Sequence, residues 1–158
     1  MKEFALEIFA NHAHEIVFLH VLSAFIWVGG MIAIRFTVHP TMQSIEDPKI
    51  KLGKTLALMG MFFNLVIPFI LLILLTAVTM VFAMGSSLNM QIKETIWVVM
   101  AANFLWMYLK RRKAQRLFDA GDLALAKATV ALIPKLLLPL NIVLGIAALW
   151  LGVTLRGL

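Results

Sequence analysis

His20 is the residue in this sequence whose type and position most clearly invite chemistry. It stands inside a long apolar run, about five residues beyond Glu15, which on a helix is some 7–8 Å along the axis. A polar group at such depth is costly in lipid, so an imidazole there marks a candidate site. Helical spacing puts His20, Ala24, Trp27 and Met31 on one stripe, with Gly30 on its flank. A small residue beside a His–Trp stripe admits either a flat ligand or another helix. Two readings are therefore open. His20 is a ligand of a hydrophobic cofactor, or it is hydrogen-bonded to a neighbouring helix while Gly30 serves helix packing.

Lys93 and Glu94 open a later apolar stretch on the same side. An ordinary interfacial lysine snorkels to the headgroups. The alternative is that Lys93 pairs with an anionic group held near His20, such as a propionate carboxylate. By residue counting, Met80, Trp97 and Trp150 fall at nearly the depth of His20, each from a different helix. Such a layer could grip a macrocycle, with Met80 as a second axial ligand. It is equally described as packing plus an aromatic belt. His12 and His14 stand above it beside Glu15, with Met84 and Met90 in reach from another loop. Imidazole with thioether suits copper. On a helix, however, residues two apart diverge by about 200°, so these two histidines share one ion only where the chain is extended. His39, beside Pro40, reads as a helix-end residue. Asn103 and Asn141 match in depth, Asn64 approaches the same layer, and all three read as interhelical glue. All four histidines belong to one helix or its ends, so a single copy cannot bring two of them onto one haem from different helices. There is no cysteine, hence no disulfide or thiolate site. Phosphate-binding, dinucleotide, zinc-protease and serine-hydrolase motifs are absent as well.

The elements that must position these residues follow from composition. Of 158 residues, 62% are hydrophobic and 14% charged, far from the balance of a water-soluble domain. Mean hydropathy is +0.96. A water-soluble enzyme and a disordered chain are both excluded. A membrane span needs about 20 mostly apolar residues, and four segments qualify, over about 16–38, 58–85, 93–110 and 136–155. The second lies in the uncharged stretch 55–92 and is read as one long tilted helix. Pro68 is a candidate kink in it, Asn64 its polar break, and Gly85-Ser86-Ser87 the turn that ends it. Residues 1–10 suit a short interfacial helix, with Asn11 a cap for the first span. Residues 113–127 read as a helix broken at Asp119-Ala120-Gly121-Asp122.

Charge sets the orientation. Eleven of the fourteen Lys and Arg residues flank the first and third loops, leaving Lys2, Lys93 and Arg156 for the other side. The positive-inside rule then makes the chain N-out and C-out. The formal charge of +6 is a topology and lipid signal and does not point to nucleic acid. The fold expected is all-α, a single four-transmembrane-helix bundle in the lipid bilayer.

The run His20-Val21-Leu22-Ser23-Ala24-Phe25-Ile26-Trp27-Val28-Gly29-Gly30, followed by Arg35 and His39, resembles the first helix of two groups. One is the HemJ-type protoporphyrinogen IX oxidase family, four-helix membrane proteins that bind b-type haem. The other is the CopD copper-resistance family, whose helices carry a similar His…Trp-x-Gly-Gly pattern. Lys93 matches the lysine that both place at the start of a later span, and the Pro134-to-Gly145 approach to the last span is similar too. The resemblance covers the whole chain in topology but only the first span and Lys93 in motif. Ile34 stands where the HemJ pattern has proline before the arginine, and the arginine-to-histidine spacing is one residue shorter.

The resemblance implies His20 as haem ligand or redox-site residue and Lys93 as its companion. The expectation is a bacterial inner-membrane protein holding haem b or a porphyrin near the outer face, redox-active in haem metabolism. Trp27, Gly30 and Met80 would line that site. The alternatives are a copper transport protein using His12, His14 and His20, and an accessory subunit of a membrane complex. Assembly as a homo-oligomer is compatible with each.

Overall fold

The computed structural model describes residues 2–85 and 87–154, and every regular element among them is helical. Ser86 and Arg156, used in the turn and charge readings, lie outside the described residues, as do the side chains of Lys2 and Met84. Helix α1 spans Lys2–Ala33 and passes through a π-helical turn, Ile34–Val38, into the short α2, His39–Gln43. Helix α3 is Pro48–Met84, α4 Leu88–Asp119 and α5 Leu123–Val130. A second π-helical turn, Ile133–Leu137, leads into α6, Leu138–Thr154.

Local chemistry explains these boundaries. Asp47 has extended backbone and accepts hydrogen bonds from the Lys49 and Ile50 N–H groups at 2.7 and 2.9 Å. Pro48 fills the first helical position, where no N–H is needed. Helix α3 then runs 37 residues, continuing past Pro68 without a break in the helix, about 55 Å. It is the single long helix that the uncharged stretch predicts. Gly85, at φ +78°, ends it, and Ser87 caps α4 by accepting from the Met90 N–H. The predicted break after residue 118 is real. Gly121 takes φ +85°, and the Asp122 carboxylate receives the Leu125 N–H at 3.0 Å to start α5. In α1 the break falls at His12, one residue beyond the expected Asn11 cap, where a non-helical φ of −133° and ψ of 31° kink the chain between two helices, the short N-terminal one and the first span.

Both π-helical turns end two residues before a proline, Pro40 in one case and Pro139 in the other. A proline ring collides with the carbonyl four residues back and offers no N–H to it. Widening the preceding turn to an i→i−5 bond, as the His39 N–H makes to Ile34 O, relieves that collision while the chain stays helical.

Helix α1 packs on α3, α3 on α4, α4 on α6, and α6 closes back on α1. Residue pairs give the directions. His20 meets Thr76 while Gly30 meets Phe62, so α1 and α3 are antiparallel. Gly53 against Phe118 and Phe63 against Phe104 make α3 and α4 antiparallel, and Asn103 with Asn141 and Lys93 with Gly152 do so for α4 and α6. The result is an up-down-up-down four-helix bundle, as expected. Its centre is aromatic. The Phe104 ring takes Trp27 edge-on at 6.0 Å and Phe63 at 5.2 Å.

Two glycines permit close approach at the seams. The Arg111 guanidinium lies on Gly60 while its Nε donates to Leu56 O at 3.0 Å. At Gly145 an added Cβ would come within 2.6 Å of Val28 Cγ2. The amides Asn103 and Asn141 act as the glue the sequence suggests. Asn103 Nδ2 donates to Asn141 Oδ1 at 2.7 Å and to Leu137 O at 2.8 Å, and Asn141 Nδ2 donates to Met100 O at 3.2 Å. Asn64 does not join them, and is exposed on the outer face of α3.

The outer surface is apolar. Phe25 is 68% exposed, Leu75 64%, Val143 64% and Trp150 69%, a distribution suited to lipid rather than water. Three helical segments, Glu3–Gln43, Pro48–Ala83 and Leu123–Thr154, are long and apolar enough to cross a membrane. This is a multi-pass membrane protein. Helix α4 has the length, but its uncharged part covers only residues 95–109 and includes Asn103. That is about 22 Å against a hydrocarbon core of about 30 Å. Packing against α3 and α6, together with the Asn103–Asn141 bond, ties α4 to the three helices that are long and apolar enough to span.

Candidate functional site

His20 projects from α1 toward α3, half-buried, with Nδ1 2.9 Å from the Thr76 hydroxyl. Thr76 is 6% exposed, and its own proton is committed, since Oγ1 lies 2.7 Å from Leu72 O and 3.0 Å from Ile73 O. A hydroxyl that donates to the backbone can only accept from the imidazole. The tautomer that satisfies this contact carries the proton of neutral His20 on Nδ1 and the lone pair on Nε2, an assignment made from the hydrogen-bond partners. This is the arrangement by which metal-ligating histidines are oriented through their second nitrogen.

Lys93 comes from the first turns of α4 and is half-buried. Its charge acts on the His20 imidazole, and its Nζ lies against the backbone of Gly152 on α6, where an added Cβ would meet it at 3.2 Å. Trp97 follows one turn later on the same face of α4, with its indole N–H buried and without a hydrogen-bond partner. At this end of the bundle α1 thus contributes His20, α3 Thr76, α4 Lys93 and Trp97, and α6 Gly152. Deeper in, Trp27 is 1% exposed and its indole N–H is also without a partner. Two buried donors left unsatisfied are unusual.

Lys93 stands near enough to His20 for its charge to act on the imidazole, and the rest of the expected lining is arranged differently. Gly30 is covered by Phe62, and an added Cβ would stand 2.5 Å from Phe62 Cε2. Its small size serves helix packing. Met80 is not opposite His20. That position belongs to Thr76, and Met80 lies one helical turn further along α3. Trp150 points outward. Depth counting ignores helix rotation and the tilt between helices, which is why it grouped these residues. The sequence marks Asn64 as the polar break in α3 and gives Thr76 no comparable signal. A hydroxyl can hide in a helix by bonding its own i−4 carbonyl, and its depth was the available signal.

His12 and His14 are both exposed. Among the described residues no three His, Asp or Glu side chains converge as a metal site. His14 and Glu15 line a shallow open hollow with Phe18 and Leu19. His39 faces Gln43 one turn on, at 3.5 Å, as a helix-end residue.

Compared with family models, with curated proteins and with solved structures, the chain matches none.

Proposed function

We propose that this protein holds b-type haem or a related porphyrin at His20 in a bacterial inner membrane, and takes part in redox chemistry of haem metabolism. One observation carries the reading. The Thr76 hydroxyl fixes the His20 proton on Nδ1, so Nε2 is presented as a ligand nitrogen. The fit extends to the neighbours. Lys93 supplies a cation for a propionate, and the unpaired Trp97 N–H offers a donor on the same helix face. Phe62 fills the Gly30 notch and Met80 stands a turn from Thr76, so among the described residues His20 is the side chain that would ligate the iron. Bound there, the macrocycle would supply the redox electronics. The residues of this chain bind, orient and neutralise it.

The test is the visible spectrum of protein purified after expression with ample haem and copper. A Soret band with b-type α and β bands is expected. His20→Ala should abolish or strongly shift it, whereas His12→Ala and His14→Ala leave it intact. Lys93→Met should weaken retention without removing the iron ligand. Copper content that falls with His12→Ala and His14→Ala, in a protein lacking a Soret band, would favour copper handling instead. Wild-type protein that retains neither would leave an accessory subunit as the better reading.

A further inference from the structure

Helix α3 carries a polar residue that the four-helix bundle does not use. Asn64 is exposed, and within the chain its side chain makes no hydrogen bond to any described residue. It is not at a membrane surface. Its chain neighbour Phe63 packs on Phe104 and Tyr108, and Phe104 packs on Trp27, so Asn64 stands at the level of the bundle's aromatic centre. The other two deep amides, Asn103 and Asn141, are both buried and bonded. Lipid tails cannot satisfy an amide, and asparagine is too short to reach the headgroups.

The surroundings of Asn64 have the spacing of a helix–helix seam. Met61, Asn64, Pro68, Leu71, Leu75, Val78 and Phe82 are all exposed and recur at alternating intervals of three and four residues. That repeat keeps one face turned toward a second helix over about 32 Å, with a shallow left-handed crossing. Met61 is 70% exposed and Leu75 64%, so the bundle covers neither.

We propose that this face of α3 is the contact between two copies of this chain, with Asn64 paired to Asn64 of the second copy across a two-fold axis normal to the membrane. The amide is self-complementary. It donates through Nδ2 and accepts through Oδ1, so two copies related by a two-fold satisfy each other reciprocally. Copies inserted with the same orientation run parallel, which brings like residues of the seam to like, and a polar amide at one position of an apolar seam fixes the register. The seam lies on the face of α3 away from the bundle, so pairing leaves the internal packing undisturbed.

The chain has no cysteine, so single-cysteine variants report directly. In native membranes, Leu71→Cys and Leu75→Cys should form disulfide-linked homodimers on oxidation. Phe25→Cys and Val143→Cys, equally exposed to lipid on α1 and α6, should not. Adding Asn64→Leu to Leu71→Cys should lower the dimer yield about tenfold, and Asn64→Gln should restore part of it. Two differently tagged copies should co-purify in mild detergent, less so with Asn64→Leu. Cross-linking no stronger at the seam than at the controls overturns the proposal. So does a seam cross-link whose second chain is a different protein, or a dimer yield indifferent to Asn64→Leu. None of these readouts depends on His20 or on a bound cofactor.

Discussion

Thr76→Val offers the sharpest perturbation of the His20 site, because it removes one oxygen and keeps the volume. In the native protein that oxygen accepts the Nδ1–H of His20 at 2.9 Å and donates to the α3 backbone. The lost donation to Leu72 O is minor, because that carbonyl still has its helical N–H partner. The imidazole loses its side-chain acceptor and keeps only the Ile73 carbonyl nearby. An unsatisfied donor in an apolar setting costs about 1–3 kcal/mol, while interhelical hydrogen bonds measured in membranes average about 0.6 kcal/mol. A stability loss of about 1 kcal/mol is therefore expected. The effect on ligand binding is larger, since the ring is free to rotate or to move its proton to Nε2, which removes the ligating lone pair. Loss of such a partner typically lowers affinity about 10–100-fold. The assay pairs titration of haem b, followed by its Soret band, with thermal unfolding of the ligand-free protein in detergent. Thr76→Val should lose far more affinity than stability, and Thr76→Ser should restore both. Wild-type affinity in Thr76→Val, alongside reduced stability, would refute the assigned orientation and leave Thr76 a packing residue. Failure of Thr76→Ser as severe as that of Thr76→Val would show that the methyl group matters and the hydroxyl does not.

Three further outcomes are expected. Gly60→Ala should destabilise the bundle by about 1–3 kcal/mol, because the guanidinium of Arg111 occupies the space of a Cβ; Arg111→Ala in the same protein should recover part of that loss in thermal unfolding. Asn103→Leu and Asn141→Leu should each lower the unfolding temperature, and the double variant should lose clearly less than their sum, since both changes remove the same Asn103–Asn141 bond. Reporter fusions after Lys51 and Lys113 should read cytoplasmic, and fusions after Ser87 and Leu158 should read outside. A cytoplasmic C-terminus would mean that the short apolar stretch of α4 does not cross.

Composition and periodicity determine much of this protein without tertiary information. The helical class, the lipid surroundings, the single long α3 ending at Gly85 and the break at Gly121-Asp122 follow from local physics. A backbone in lipid must satisfy itself, and glycine, proline and capping residues act within a turn of their own position. His20 and Lys93 stand out for a similar reason, as polar side chains in apolar runs. Their partners depend on rotation about helix axes and on the stagger between helices, which residue counting does not contain. One helical turn of stagger, about 6 Å along the axis, decides that Thr76, and not Met80, stands level with His20. The same geometry lets Phe62 fill the notch at Gly30 and turns Trp150 outward. It also separates three asparagines of similar depth. Two are drawn together across α4 and α6, and Asn64 is left facing the membrane. Local sequence chooses the elements because the relevant energies are local. Tertiary structure chooses the site because a hydrogen bond between helices tolerates an error of only about half an ångström.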